Sequence, residues 1–177
     1  MRILGISGSL REGSSNHALL SQITRLDEAV ALTIYHGVAR LPHFSPDLDT
    51  ADVPAEVRAF RQAVRDSDGV IISSPEYAHG VPGSLKNALD WLVRSGELIN
   101  KPLVLWSASP SGAEFVHPQL LEICRTMSAN VLTQASLKIP RARQALDAEG
   151  RLADEQLARD LKQSLAALRA SSGGRAA

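Results

Sequence analysis

Three stretches of the chain are apolar almost without interruption: "RILGIS" at residues 2–7, "GVIISS" at 69–74 and "PLVLWSAS" at 102–109. Such runs are what strands need when helices cover both faces of a sheet. Two other runs alternate. In "VALTIYH" (30–36) Val30, Leu32 and Ile34 are separated by smaller or polar residues. In "NVLTQASLKIP" (130–140) Val131, Ala135, Leu137 and Ile139 stand among Gln134, Ser136 and Lys138. Alternation marks a half-exposed strand, so the second and fifth strands belong at the sheet edges.

Between these runs the apolar period changes to that of a helix. Leu19, Ile23 and Leu26 form one stripe, Val57, Phe60 and Val64 a second, and Leu120, Ile123, Cys124 and Met127 a fourth. The third is Leu85, Ala88, Leu89, Leu92 and Val93, at i, i+3, i+4, i+7, i+8 spacing. Leu157, Leu161, Leu165 and Leu168 form the last. Cys124 on its stripe reads as a buried thiol. Strand and helix alternate throughout. This predicts an α/β fold, a doubly wound parallel sheet of five strands in the flavodoxin-like order 2-1-3-4-5, with one core. Ligands of such sheets bind at the carboxyl ends of the strands, here the loops 8–16, 74–83 and 108–116.

Composition narrows the class. The chain has 177 residues, 44% of them hydrophobic, with Lys+Arg and Asp+Glu balanced at 19 each. One domain over residues 1–169 is expected, with the low-complexity end "ASSGGRAA" (170–177) as a disordered tail. Charge balance gives no basic surface for nucleic acid or an anionic membrane. A single cysteine suits a reducing compartment, and neither a signal peptide nor a membrane span is visible, so a cytoplasmic location is expected.

The loop "GSLREGSSN" (8–16) opens the first helix at the carboxyl edge. Gly8 and Gly13 permit tight turns and close approach. Ser9, Ser14, Ser15 and Asn16 supply short polar groups, and Arg11 a planar fork suited to phosphate oxygens. Helix capping by itself accounts for residues 14–16 but leaves Ser9, Arg11 and the glycines without a task. A P-loop is excluded because no Lys follows Gly13, and a G-x-G-x-x-G fingerprint is absent. The stretch "SSPEYAHGVPGSLKNALDWL" (73–92) contains Pro75, Gly80, Pro82 and Gly83, the composition of a shaped turn able to present backbone amides to a flat heterocycle. Its length exceeds that of an ordinary strand-to-helix connection.

Together these stretches resemble the NADPH-dependent FMN reductase family, the flavodoxin-like group that includes chromate, azo-dye and quinone reductases. "GSLREGSSN" is similar to that family's phosphate loop and "PEYAHGVPGSLKNALDW" to its flavin-ring loop; "LPHFSPDLD" (41–49) and "LDAEGRLADEQL" (146–157) are similar too. The resemblance covers roughly residues 2–165. It implies that Ser9, Arg11, Ser14, Ser15 and Asn16 hold the FMN phosphate. It implies that Pro75, Glu76, Tyr77 and Ala78 line the ring, mostly through backbone, and that Ser109 and Gly112 fall where the fourth-strand loop touches it. Ala78 stands where many members carry Asn. The loop "SPSGAEFVHPQLLEIC" has the single glycine Gly112 and no arginine before Arg125, where many members have a glycine pair followed by arginine.

The implied activity is two-electron, ping-pong reduction of a small acceptor such as a quinone, azo dye, metal oxyanion or flavin. NADPH or NADH is the donor, and the flavin carries the hydride, so no catalytic acid or base is required. Two other classes keep the same fold: an electron carrier, and a flavin-free binding module. A neutral chain with 4% aromatic residues is unlike an acidic carrier that sandwiches the ring, and an open ring face suits a nicotinamide. Arg141 and Arg143, after the fifth strand, are candidates for a 2′-phosphate, or else plain solvated arginines. The resemblance implies a homodimer or tetramer. Trp91, off the core stripe of its helix, is expected to be its exposed anchor. The histidines at 17, 36, 43, 79 and 117 show no metal-ligand spacing, and "SPDLDTAD" (45–52) reads as a solvated loop.

Overall fold

In a computed structural model, which describes residues 1–173, the strands β1 (Arg2–Ser7), β2 (Ala31–Tyr35), β3 (Gly69–Ser74), β4 (Pro102–Ser109), β5 (Asn130–Val131) and β6 (Leu137–Pro140) form one sheet. The order is β2-β1-β3-β4-β5, with β6 also on β4, and every pairing is parallel. All residues of β3 and β4 are buried, whereas β2 is partly exposed. The alternation rule therefore placed the edges correctly.

Helices α1 (Ser15–Ser21), α2 (Ile23–Leu26) and α6 (Glu155–Ser172) cover one face, and α3 (Ala55–Asp66), α4 (Gly83–Val93) and α5 (Val116–Thr126) the other. Alternate residues of β4 divide between the two cores: Leu103 and Leu105 face α3–α5, and Val104 and Trp106 face α1 and α6. Trp106 donates Nε1–H to Ser164 Oγ on α6 at 2.9 Å, and Ser164 donates to Ala135 O at 2.6 Å. That chain fixes α6 against the sheet where apolar packing alone would permit sliding.

Several expectations fail. The fifth strand is broken, because residues 132–136 stand opposite only Val104 and Leu105. The excess forms a 3₁₀ turn, Thr133–Ala135. Ser136 Oγ patches the gap, accepting from Leu105 N–H at 3.0 Å and donating to Leu132 O. The first helical stripe is carried by two short helices that meet at Gln22. Helix α6 continues to Ser172, into the stretch expected to be a tail; residues 174–177 of that stretch lie outside the described residues.

The largest correction concerns α4. Trp91 is 0% exposed, whereas Val93, assigned to the core stripe, is 56% exposed. The segment 38–54 folds over the outer side of α4. Trp91 donates Nε1–H to Pro42 O at 2.9 Å and meets Phe44 edge-on. Arg61 of α3 donates to Trp91 O and to Asp49 Oδ1 at 2.8 Å. Asp49 is thus buried and paired, so the loop 45–52 is not simply solvated. Helix amphipathicity identified the face that meets the sheet, but not the second face that a long connection would cover.

Candidate functional site

The strands end in hydroxyl groups at one edge: Ser7 on β1, Ser73 and Ser74 on β3, Ser107 and Ser109 on β4, all buried. Three loops leave this edge and are fastened to one another. Gly8 N–H donates to Ser73 O at 2.8 Å. A Cβ on Gly8 would stand 2.8 Å from Ser74 Oγ and 3.0 Å from Leu85 Cδ2. The glycine is therefore required by close packing of the loop on β3 and α4, which is the neighbour it approaches, rather than a ligand.

Asn16 is 3% exposed. Its Nδ2 donates to Ala108 O at 3.2 Å and its Oδ1 accepts from Ser73 Oγ at 3.0 Å. Its side chain ties β3 and β4 to α1 and is committed to the frame. Ser14 is the N-cap of α1, accepting from Asn16 N–H at 3.2 Å. Capping explains Ser14, then, but not the turn before it. There, Leu10, Glu12, Gly13 and Ser15 have backbone N–H groups with no hydrogen-bond partner among the described residues. Gly13 supplies the left-handed conformation (φ +65°) that this turn requires. Ser9 Oγ accepts from Arg11 N–H, and the exposed Arg11 guanidinium has no partner among the described residues. Uncommitted amides at a helix start beside an uncommitted cation form a cradle for an anion. The residues present therefore fit a phosphate.

The other two loops are joined by Glu76. Helix α5 begins at Phe115–Val116 without a local capping side chain. Glu76 supplies the missing acceptor: its Oε2 takes N–H bonds from Phe115 at 2.8 Å and Val116 at 3.0 Å, and its Oε1 takes Ser111 Oγ–H at 2.7 Å. Together, the Ser111 bond foremost, they hold its carboxyl below the usual range. Ser109 Oγ is 2.9 Å from Ser111 Oγ. Gln119 of α5 donates to His79 O and accepts from Val81 N–H. Residues 77–80 make a two-residue turn in which Tyr77 and Gly80 exchange backbone hydrogen bonds, with Ala78 (φ 48°) and His79 (φ 57°) both left-handed. Gly112 (φ +87°) and Ala113 (φ 62°) turn the fourth-strand loop.

The result is a shelf. Pro75 is buried beneath it, Tyr77 (52%) and Phe115 (47%) are exposed on it, and His79 stacks on Phe115 at 4.2 Å between centroids. Tyr77 Oη lies 3.4 Å from Ser9 Oγ, which places the shelf directly beside the anion cradle. The backbone N–H groups of Glu76, Ala78 and His79 have no partner among the described residues. Beneath the shelf His117 Nδ1 meets Ser107 Oγ at 2.8 Å, and burial, aided by Lys138, lowers its pKa. Cys124 is buried in the core, its thiol pushed up to about 12 by desolvation.

Sequence reasoning assigned Glu76 to the ring and missed its role as the cap of α5. The signal was available in "SGAEFVHP": a helix start with no Ser, Thr, Asp or Asn at the cap needs an acceptor from elsewhere. The Ser107–His117 pair left no signal of that kind.

Known proteins agree with this geometry. The profile of the NADPH-dependent FMN reductase family matches residues 1–144. An NAD(P)H-dependent FMN reductase of Pseudomonas aeruginosa is 31% identical over 172 residues, covering 95% of this chain and 93% of its own. A 2-hydroxy-1,4-benzoquinone reductase of a Burkholderia species is 31% identical over 160 residues, 88% of this chain and 87% of its own. The solved structure of a flavoenzyme NAD(P)H:(acceptor) oxidoreductase from Paracoccus denitrificans superposes with a TM-score of 0.87 at 27% identity, covering 98% of this chain and 97% of that one. The chain belongs to the NADPH-dependent FMN reductase family and is a flavodoxin-like oxidoreductase that works with FMN and a reduced nicotinamide nucleotide.

Proposed function

We propose that this protein reduces quinones or related small acceptors with electrons from NAD(P)H, donor and acceptor taking turns on the exposed side of one shelf. The observation that carries this is the anion cradle of residues 9–15 lying beside the shelf of Tyr77 and Phe115. The chemistry that FMN supplies when bound is two-electron transfer between a reduced nicotinamide and an acceptor. The chain's own residues do the rest. Arg11 and the free amides of Leu10, Glu12, Gly13 and Ser15 hold the phosphate, with the Ser9, Ser14 and Ser15 hydroxyls as further donors. Asn16 acts from below, fixing the loop to β3 and β4. Pro75, Tyr77 and Ala78 would set the plane of the ring, and the unpartnered amides of Glu76, Ala78 and His79 would stabilise negative charge developing on it. Glu76 holds that loop against residues 109–116, so Ser109 and Gly112 border the same plane. With FMN bound, Tyr77 would contact one side of the ring, leaving the other for a nicotinamide to stack on.

Anaerobic titration of the yellow holo-protein tests the reading. NADPH or NADH should bleach the flavin directly, and a benzoquinone added afterwards should restore the colour. Absence of bleaching, with reduction only through a separate reductase protein, would establish an electron carrier instead. A single described cysteine that is buried and free, and a nucleotide donor, support a cytoplasmic site of action. No helix among the described residues is long and apolar enough to cross a membrane. Pairing of two copies remains part of the reading. With Trp91 inside its own domain, the exposed Val93 and Ile99 are the apolar groups such a contact would cover. Light scattering that finds an FMN-loaded monomer at micromolar concentration rejects it.

A further inference from the structure

A second concavity opens beyond β6. It is a cleft of about 580 Å³ between residues 138–145 and the first turns of α6. Its position follows from the sheet register. Lys138 and Pro140 of β6 stand opposite Ser107 and Ser109 of β4, so the chain leaving β6 emerges one strand spacing, about 4.8 Å, from the loop that borders the shelf. Lys138 also reaches back to that loop, its Nζ 2.6 Å from Glu114 Oε2. Through this register and the Lys138–Glu114 pair, the cleft neighbours the loop that borders the shelf.

The polar groups of the lining are mostly committed. Lys138 is paired with Glu114. Asp154 caps α6, accepting from Gln156 and Leu157 N–H. Asp160 accepts from Gln156 Nε2 at 2.7 Å, and Gln156 Oε1 accepts from Arg159. Two lining side chains have no hydrogen bond or ion pair among the described residues: Arg141 and Gln144. Arg141 sits in a left-handed backbone conformation (φ 50°) at the start of the 3₁₀ turn Ala142–Ala145. That conformation is unfavourable for a side chain of this kind and brings the one uncommitted cation of the lining to the cleft. Arg143, two residues on, does not line it.

We infer that this cleft receives the adenosine end of the dinucleotide donor, with Arg141 binding its 2′-phosphate and thereby setting the preference for NADPH over NADH. The inference deepens the proposed function and rests on it for the identity of the donor. The chemistry is that of a planar guanidinium on a phosphate dianion, with the Gln144 amide available to a ribose hydroxyl or to the adenine edge. The neighbouring carboxylate of Asp160 leaves the cleft tolerant of an unphosphorylated ribose, so NADH is a second donor rather than an excluded one.

The test separates this site from the activity. Binding of adenosine 2′,5′-bisphosphate to the FMN-loaded protein is measured by calorimetry, with 5′-AMP as the probe lacking the 2′-phosphate. R141N removes the charge while keeping a residue that tolerates the left-handed backbone. It should weaken the bisphosphate about ten- to hundred-fold, the range of a charge-assisted contact, and leave 5′-AMP unchanged. R141K should fall between wild type and R141N, and R143A should bind as wild type. In turnover, R141N should raise KM for NADPH with kcat retained, and leave NADH untouched. Equal bisphosphate affinity in wild type and R141N, or the same loss in R143A, overturns the inference. If the wild type binds the bisphosphate through Arg141 yet neither nucleotide bleaches the flavin, the cleft stands and the proposed function falls.

Discussion

The two halves of the site treat their polar groups in opposite ways. The cradle at residues 9–15 leaves donors unanswered: the amides of Leu10, Glu12, Gly13 and Ser15, and the Arg11 guanidinium. The shelf closes its side chains on one another and leaves backbone amides, those of Glu76, Ala78 and His79, without partners among the described residues. Glu76 is bound to Ser111, Phe115 and Val116, Gln119 to His79 and Val81, and Ser109 to Ser111. A group left without a partner is one whose hydrogen bond must come from a ligand or water. A group bound to a distant loop keeps shape. The cradle is therefore where affinity resides, and the shelf is where geometry resides. Changes at the first should alter ligand binding with little effect on the fold, and changes at the second should do the reverse.

The largest expected effect is R11A. It should weaken FMN about ten- to hundred-fold and leave riboflavin, which lacks the phosphate, nearly unchanged, with the apo-protein melting as before. Equal losses for both flavins would show that Arg11 supports the ring or the fold, and the contrast between the two halves would collapse. Next is G8A. Its Cβ would press on Ser74 and Leu85, an overpacking that costs about 1–3 kcal/mol, readable as a lower denaturant midpoint of the apo-protein. Unchanged stability would mean that the cradle rests on β3 with slack.

The same division explains what the sequence could disclose. The cradle is contiguous: strand end, glycines, Arg11 and the Ser14 cap occur within a dozen residues, and the local chemistry of each is legible without the fold. The shelf depends on contacts that no local pattern encodes. Glu76 caps a helix that starts at residue 116, and Asn16 bonds to Ala108 across the sheet. The misreadings have the same origin. Helix phase and loop composition place Trp91 and Asp49 outside, yet both are buried by a segment that turns back over α4 and by an arginine from α3. Where a face meets the sheet, periodicity decides. Where a connection decides, the partner is far away in the chain.

A smaller effect lies in the turn at Ala78 and His79. Two consecutive left-handed residues between paired Tyr77 and Gly80 have the geometry of a type I′ turn, whose favoured residues are Asn and Gly. Alanine has neither the missing Cβ nor the short polar side chain that makes this conformation tolerable. A78N should therefore stabilise the apo-protein by about 1 kcal/mol while FMN phosphate affinity, judged by the ratio of FMN to riboflavin binding, stays constant. A change in that ratio would show that the shelf and cradle are coupled after all.

The smallest effect is a pH dependence of the shelf. Hydrogen bonds from Ser111 first, then Val116 and Phe115, lower the Glu76 carboxyl from 4.5. A carboxyl whose folded value is depressed contributes stability that is fully present above its unfolded value and is lost as pH falls through the folded one. The group is open to solvent, so screening keeps the contribution small, but its sign is fixed. Between neutral pH and about 4.5 the clamp from Glu76 to α5 should hold. As pH falls further, through the lowered folded value, protonation removes the charge that strengthens the bonds from Ser111, Phe115 and Val116, and the loop 109–116 should loosen before the sheet does. E76Q cannot titrate. Its melting temperature should fall below that of wild type at neutral pH, and the difference should shrink as pH drops towards 3. Parallel melting curves for the two proteins across that range would show that the carboxylate charge adds nothing to the bonds, and that an amide at position 76 holds the shelf equally well.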